Sequence, residues 1–120
     1  MTQSIVKSFF YATKGILHFL ITERNGKLEI LGAIGITILG WYFNINAIEW
    51  CIQTLCIAMV IGIEIINTAI EELSNYVSPN KHPKIGIIKD LSAGAVLFVS
   101  IVSSLIGFII YLPKISTQFI

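Results

Sequence analysis

Long apolar blocks fill most of this chain, separated by short polar stretches at 22–29, 44–47 and 74–82. In residues 2–22 the apolar side chains Ile5, Phe9, Ile16 and Leu20 recur at helical spacing, with Lys7 and Lys14 off that face. That pattern predicts an amphipathic helix lying in a membrane interface. Residues 22–29, TERNGKLE, form a polar junction where Gly26 permits a bend. The apolar run at 28–46 predicts a first membrane span, with Trp41 and Tyr42 near its far end as interfacial anchors. A tight turn at 44–47 leads into a second span at 48–73. After a polar loop at 74–82, Pro83 suits the first turn of another helix. That helix is polar at first, turns apolar from Leu91 to Leu112, and is expected to end at Pro113 and Lys114. Ser100 with Ser104, and Ser103 with Gly107, give it small-residue spacings suited to close helix contact.

The expected fold class is therefore an all-α integral membrane protein: one surface helix (2–22) and three spans (28–46, 48–73, and the apolar part of 83–112). One domain covers residues 1–120. Composition agrees, with 55% hydrophobic residues and a mean hydropathy of +0.82. A net charge of +1 argues against a nucleic-acid partner. Cys51 and Cys56, five apart in an apolar run, match neither a zinc nor a redox spacing. The first 22 residues lack the compact apolar block and small-residue cleavage site of a cleavable signal. Seven of the eight basic residues fall before span one or between spans two and three. The positive-inside rule puts that side, and the N-terminus, in the cytoplasm.

Charge changes the picture at residues 59–73, MVIGIEIINTAIEEL. Helical spacing places Glu64, Asn67 and Glu71 on one face. Ionised side chains in hydrocarbon cost at least about 2.5 kcal/mol each at mid-bilayer. This helix is longer than the hydrocarbon core is thick, so its acidic end is expected near the cytoplasmic interface. Glu23, Glu29, Glu72, Lys89 and Asp90 gather at the same level.

Carboxylates with an amide oxygen suit a hard cation such as Mg²⁺. Lys89 at the rim suits phosphate oxygens, and a further carboxylate suits proton abstraction from a nucleophile. Together they point to phosphoryl transfer at a membrane surface. No Walker A pattern and no Gly-rich nucleotide loop occurs. A cation or proton transporter subunit, or a non-catalytic assembly protein, fits an acid-bearing membrane helix as well. A transporter would need acids deep in the span rather than collected at one interface.

The segments EIINTAIE at 64–71 and KDLSAGAV at 89–96, with TERN at 22–25 and EW at 49–50, resemble the prokaryotic diacylglycerol kinase family. The resemblance runs from about Lys7 to Pro113. It implies a homotrimeric membrane lipid kinase that passes the γ-phosphoryl group of ATP, with Mg²⁺, to a lipid hydroxyl, at sites shared between protomers. By the same resemblance Glu64 is the general base and contacts the lipid substrate. Glu23 and Glu71 hold the divalent ion, and Asn67 supports them. Lys89 and Asp90 meet the nucleotide. Tyr11 borders it from the surface helix, the loop residues Asn80, Lys81 and His82 contact it, and Ala93 falls where the lipid approaches. The family's lipid is diacylglycerol; undecaprenol is the alternative, since small kinases with TERN and a KDxxAGAV segment resemble this chain as well. The implied location is the cell membrane, the inner one where there are two. Two departures stand out. Asn75 occupies a position where the family usually has an aspartate, and Ser4 one where it commonly has a basic residue.

Overall fold

A computed structural model describes residues 2–119, all of them helical apart from short connections. The helices are α1 (Thr2–Thr22), α2 (Arg24–Tyr42), α3 (Ala47–Val77) and α4 (Pro83–Phe119). They fall into two compact units whose boundary lies inside α2, one reaching Ile36 and the other starting at Thr37.

In the first unit α1 has the bounds expected for the N-terminal helix, 2–22. Its apolar residues Ile5, Phe9 and Ile16 are exposed, as a face reserved for a lipid surface would be. Helical hydrogen bonding carries across the junction: Glu23 N donates to the Phe19 carbonyl at 3.2 Å and Lys27 N to the Glu23 carbonyl at 3.1 Å. Gly26 is required there for want of space. A Cβ on it would lie 1.9 Å from the Phe19 carbonyl oxygen, closer than any two such atoms can approach.

The second unit is a hairpin of α3 and α4, entered from the end of α2. The expected span at 28–46 is corrected at its end: the helix stops at Tyr42 and the last residues form the turn. Asn44 adopts a left-handed φ of 51°, which asparagine tolerates better than most residues. Asn46 then caps α3. Its side chain accepts from Glu49 N at 2.9 Å, and the Glu49 carboxylate accepts from Asn46 N at 3.0 Å. Gly40 admits the Trp50 ring, which would stand 2.7 Å from a Cβ at that position.

The second expected segment, 48–73, is too short. α3 runs from Ala47 to Val77, where Ser78 N closes the last turn on the Ser74 carbonyl. The third, 83–112, is also too short, because α4 passes through Pro113 to Phe119. Proline removes one helical donor. The helix nevertheless continues, and the residue just after the proline, Lys114, is anchored on α3.

The two long helices pack against one another along stripes of helical period. Gln53, Val60, Glu64, Asn67 and Ser74 are buried or half-buried on α3, as are Ser92, Val96, Val99, Ser103, Ile106 and Ile110 on α4. Opposite this stripe, Leu97, Phe98, Leu105 and Ile109 are exposed on α4. So large an apolar surface suits hydrocarbon and not water. Among the described residues two helices, Ala47–Val77 and Pro83–Thr117, are long and apolar enough to cross a membrane. α2 is not one of them, since charges in its first turns shorten its apolar run. Gly107, which shares a small-residue spacing with Ser103, has room beside it: a Cβ there would meet nothing within 4 Å.

Candidate functional site

Four polar links set the register of the hairpin. At the end next to the Asn46 cap, Lys114 Nζ lies 2.8 Å from Glu49 Oε2, and the Tyr111 hydroxyl donates to Gln53 Oε1 between buried side chains. At the opposite end Ser92 Oγ donates to Asn67 Oδ1 at 2.7 Å, and Lys89 Nζ donates to Asn75 Oδ1. Antiparallel helices in this register bring the EIINTAIE and KDLSAGAV segments to the same end, although the links there are 14 and 25 residues apart in sequence.

On α3 the expected face is present. Glu64 is half-buried, and its backbone carbonyl accepts from Thr68 Oγ1 at 3.0 Å. Asn67, one turn on, is half-buried and reaches both ways. Its Oδ1 takes the Ser92 hydroxyl, and its Nδ2 donates to Glu71 Oε1 at 3.4 Å. Glu71 itself is exposed. A carboxylate offers about four lone-pair positions, so one long amide contact leaves it able to bind a cation. Among the described residues no three His, Cys, Asp or Glu side chains gather into a cage. Mg²⁺ does not need one, because it commonly takes one or two carboxylates and completes its shell with water and phosphate.

On α4, Lys89 is half-buried, while Asp90 and Ala93 are exposed. Lys89 is held by an uncharged acceptor, which fixes the ammonium without neutralising it. Asn80, Lys81 and His82 lie exposed in the connection between α3 and α4. His82 also starts the helix: its Nδ1 accepts from Lys84 N at 3.2 Å, and its carbonyl accepts from Gly86 N at 3.0 Å. The Asn80 carbonyl accepts from Ser78 Oγ at 2.8 Å.

Tyr11 and Glu23 belong to the other unit. Tyr11 is exposed on α1, edge-on to Phe10 at 5.8 Å between ring centres. Glu23 is half-buried at the junction of α1 and α2, with His18 Nε2 3.8 Å from its Oε1.

Reasoning from the sequence missed Ser92 and the partnership of Asn75 with Lys89. Both depend on which α4 residue stands opposite which α3 residue, and helical spacing within one segment carries no such information. In the sequence Asn75 stands out only as a departure from the family pattern.

The description "Prokaryotic diacylglycerol kinase" belongs to the family model that matches residues 10–111, a stretch containing every candidate residue from Tyr11 to Ala93. An undecaprenol kinase of Bacillus subtilis is 37% identical over 109 residues, covering 91% of this chain and 89% of the relative. A diacylglycerol kinase of a Synechocystis species is 27% identical over 113 residues, 93% of this chain but 65% of the relative's length. The diacylglycerol kinase of Escherichia coli K12 is 26% identical over 99 residues, 82% of this chain and 81% of the relative.

Proposed function

The chain belongs to the prokaryotic diacylglycerol kinase family and is a lipid kinase, and we propose that it transfers the γ-phosphoryl group of ATP to the hydroxyl of undecaprenol at the inner face of the cell membrane. The observation that carries the reading is the arrangement along α3. Counted from the Asn46 cap at about 1.5 Å per residue, Glu64 lies about 27 Å along the helix and Glu71 about 37 Å. A hydrocarbon core is about 30 Å thick. With the cap at the outer interface, Glu64 stands where a lipid hydroxyl emerges, and Glu71 stands in water where a nucleotide would sit.

Glu64 then takes the proton of the lipid hydroxyl as the hydroxyl oxygen bonds to the γ-phosphorus and the bond from that phosphorus to the bridging oxygen breaks, releasing ADP. The half-buried setting of Glu64 keeps bulk water from competing. Ala93, exposed on α4, borders the lipid. Lys89, fixed by Asn75, holds phosphate oxygens, and Asp90 lies beside it on the same helix. The hard oxygen donors of Glu23 and Glu71 fit Mg²⁺, which when bound neutralises charge on the ATP phosphates. Asn67 supports Glu71. Tyr11, Asn80, Lys81 and His82 border the nucleotide. α2 supplies a third crossing, the basic segments and the N-terminus lie in the cytoplasm, and three copies assemble as a trimer with shared sites.

Undecaprenol is placed first because the relative acting on it is 37% identical over nearly the whole of both chains. Diacylglycerol is the second reading, favoured by the family description and by the relatives at 27% and 26%. The test is a competition. Purified protein in mixed micelles, with labelled ATP and Mg²⁺, is offered both lipids together. Undecaprenol should be phosphorylated with a kcat/KM at least about tenfold the higher, within the range apolar contacts can discriminate. Preference for diacylglycerol would reverse the order, and label in neither would defeat both readings.

A further inference from the structure

Ser92 has no part in the mechanism above, yet it is 8% exposed and sits at the centre of the site's hydrogen-bond chain. A helical serine commonly bonds back to a carbonyl in its own helix. This one donates across the hairpin to Asn67 Oδ1 at 2.7 Å. That contact pins the oxygen end of the asparagine amide to the neighbouring helix. A primary amide has one accepting end and one donating end. With Oδ1 occupied by the serine hydroxyl, Nδ2 is turned towards Glu71 Oε1, 3.4 Å away. Rotated the other way, the amide would set oxygen against carboxylate oxygen. The carboxylate, which only accepts, sets the sense of the amide, and the serine hydroxyl anchors its position. An alanine at residue 92 would leave the half-buried Oδ1 without this donor and let the amide swing away from Glu71.

We infer that Ser92 is a positioning residue which, through Asn67, aims the Glu71 carboxylate at the divalent cation of the nucleotide. This rests on the reading of Glu71 as a ligand on the nucleotide side. The consequence is specific. Loss of the hydroxyl should weaken use of the cation and leave use of the lipid alone.

The experiment measures initial rates of the purified full chain in mixed micelles, with Mg²⁺ varied at saturating ATP and, separately, with lipid varied. Ser92→Ala should raise the half-saturating Mg²⁺ concentration about tenfold, the lower end of what is lost when an outer-shell partner of a metal ligand is removed. KM for the lipid should stay within about twofold. Ser92→Thr, which keeps the hydroxyl, should restore Mg²⁺ use, and Ser92→Ala should add nothing in an Asn67→Ala background. Ser92→Cys keeps the size with a weaker donor and should fall between alanine and wild type, so it serves if the alanine variant does not fold. Unchanged Mg²⁺ dependence in the alanine or cysteine variant would overturn the inference, as would equal shifts in Mg²⁺ and lipid constants. Glu71→Ala in the same assay separates the two levels of argument. If it shifts Mg²⁺ dependence while Ser92→Ala does not, only the role of Ser92 falls. If Glu71→Ala leaves Mg²⁺ dependence unchanged, the assignment of Glu71 falls with it.

Discussion

The two ends of the α3–α4 hairpin are both polar, but they handle charge in opposite ways. At the Asn46 end each polar group is answered in kind. The Lys114 ammonium meets the Glu49 carboxylate, Gln53 meets the Tyr111 hydroxyl, and the Phe43 ring lies edge-on to Tyr111 at 5.9 Å between centres. At the far end neutral groups restrain charged ones. Asn75 holds Lys89, and Asn67, itself fixed by Ser92, holds Glu71. A carboxylate and an ammonium that satisfy each other have little left to offer a ligand. The same groups held by amides keep their full charge for a third party. The first end reads as a fastener and the second as a receptor, although each is tied across the hairpin by two side-chain hydrogen bonds.

That contrast can be broken by substitution, and the largest effect is expected at the receptor end. Glu64→Gln should lower the rate of phosphoryl transfer by about a thousandfold, in the range of a lost general base, with little change in thermal unfolding in detergent. Activity within about tenfold of wild type would remove Glu64 from that role. Glu71→Ala removes the ligand itself and should raise KM for MgATP by about a hundredfold, the upper end of what an outer-shell loss gives, and KM for lipid far less. Equal effects on the two substrates would contradict its place on the nucleotide side. The smallest effect on activity is expected at the fastener. Tyr111→Phe leaves the buried Gln53 without that donor and should cost about 1 kcal/mol of stability, typical of one interhelical hydrogen bond in a membrane protein. It should show as a lower Tm with kcat/KM within about twofold. A large loss of activity at unchanged Tm would mean that the two ends are not separable.

How far these features could be read from the sequence follows the reach of each interaction. The amphipathic pattern of α1 depends on neighbours a turn apart, and its limits were predicted to the residue. The grouping of Glu64, Asn67 and Glu71 on one face was legible for the same reason. Pro113 was misread as a stop because proline is a strong local signal. Here a cross-helix anchor at Lys114, on the far side of the proline, holds the helix in place. The C-terminal turn of α3 was read as loop because Ser74 and Asn75 look like loop residues. Ser74 is buried in the helix, and Asn75 is spent on Lys89. Ser92 was passed over because its partner lies on another helix, set by a register that only the folded hairpin defines.

The collision that reserves residue 26 for glycine has a consequence for handling the protein. What would meet there is one stretch of main chain against a side-chain carbon, a matter of atomic size that no solvent alters. The glycine makes the close approach possible without enforcing it, so the demand is on the residue type and not on the surroundings. In lipid or in detergent, a larger residue at 26 should therefore force the turn from α1 into α2 open, and a saturation library at that codon should return one amino acid.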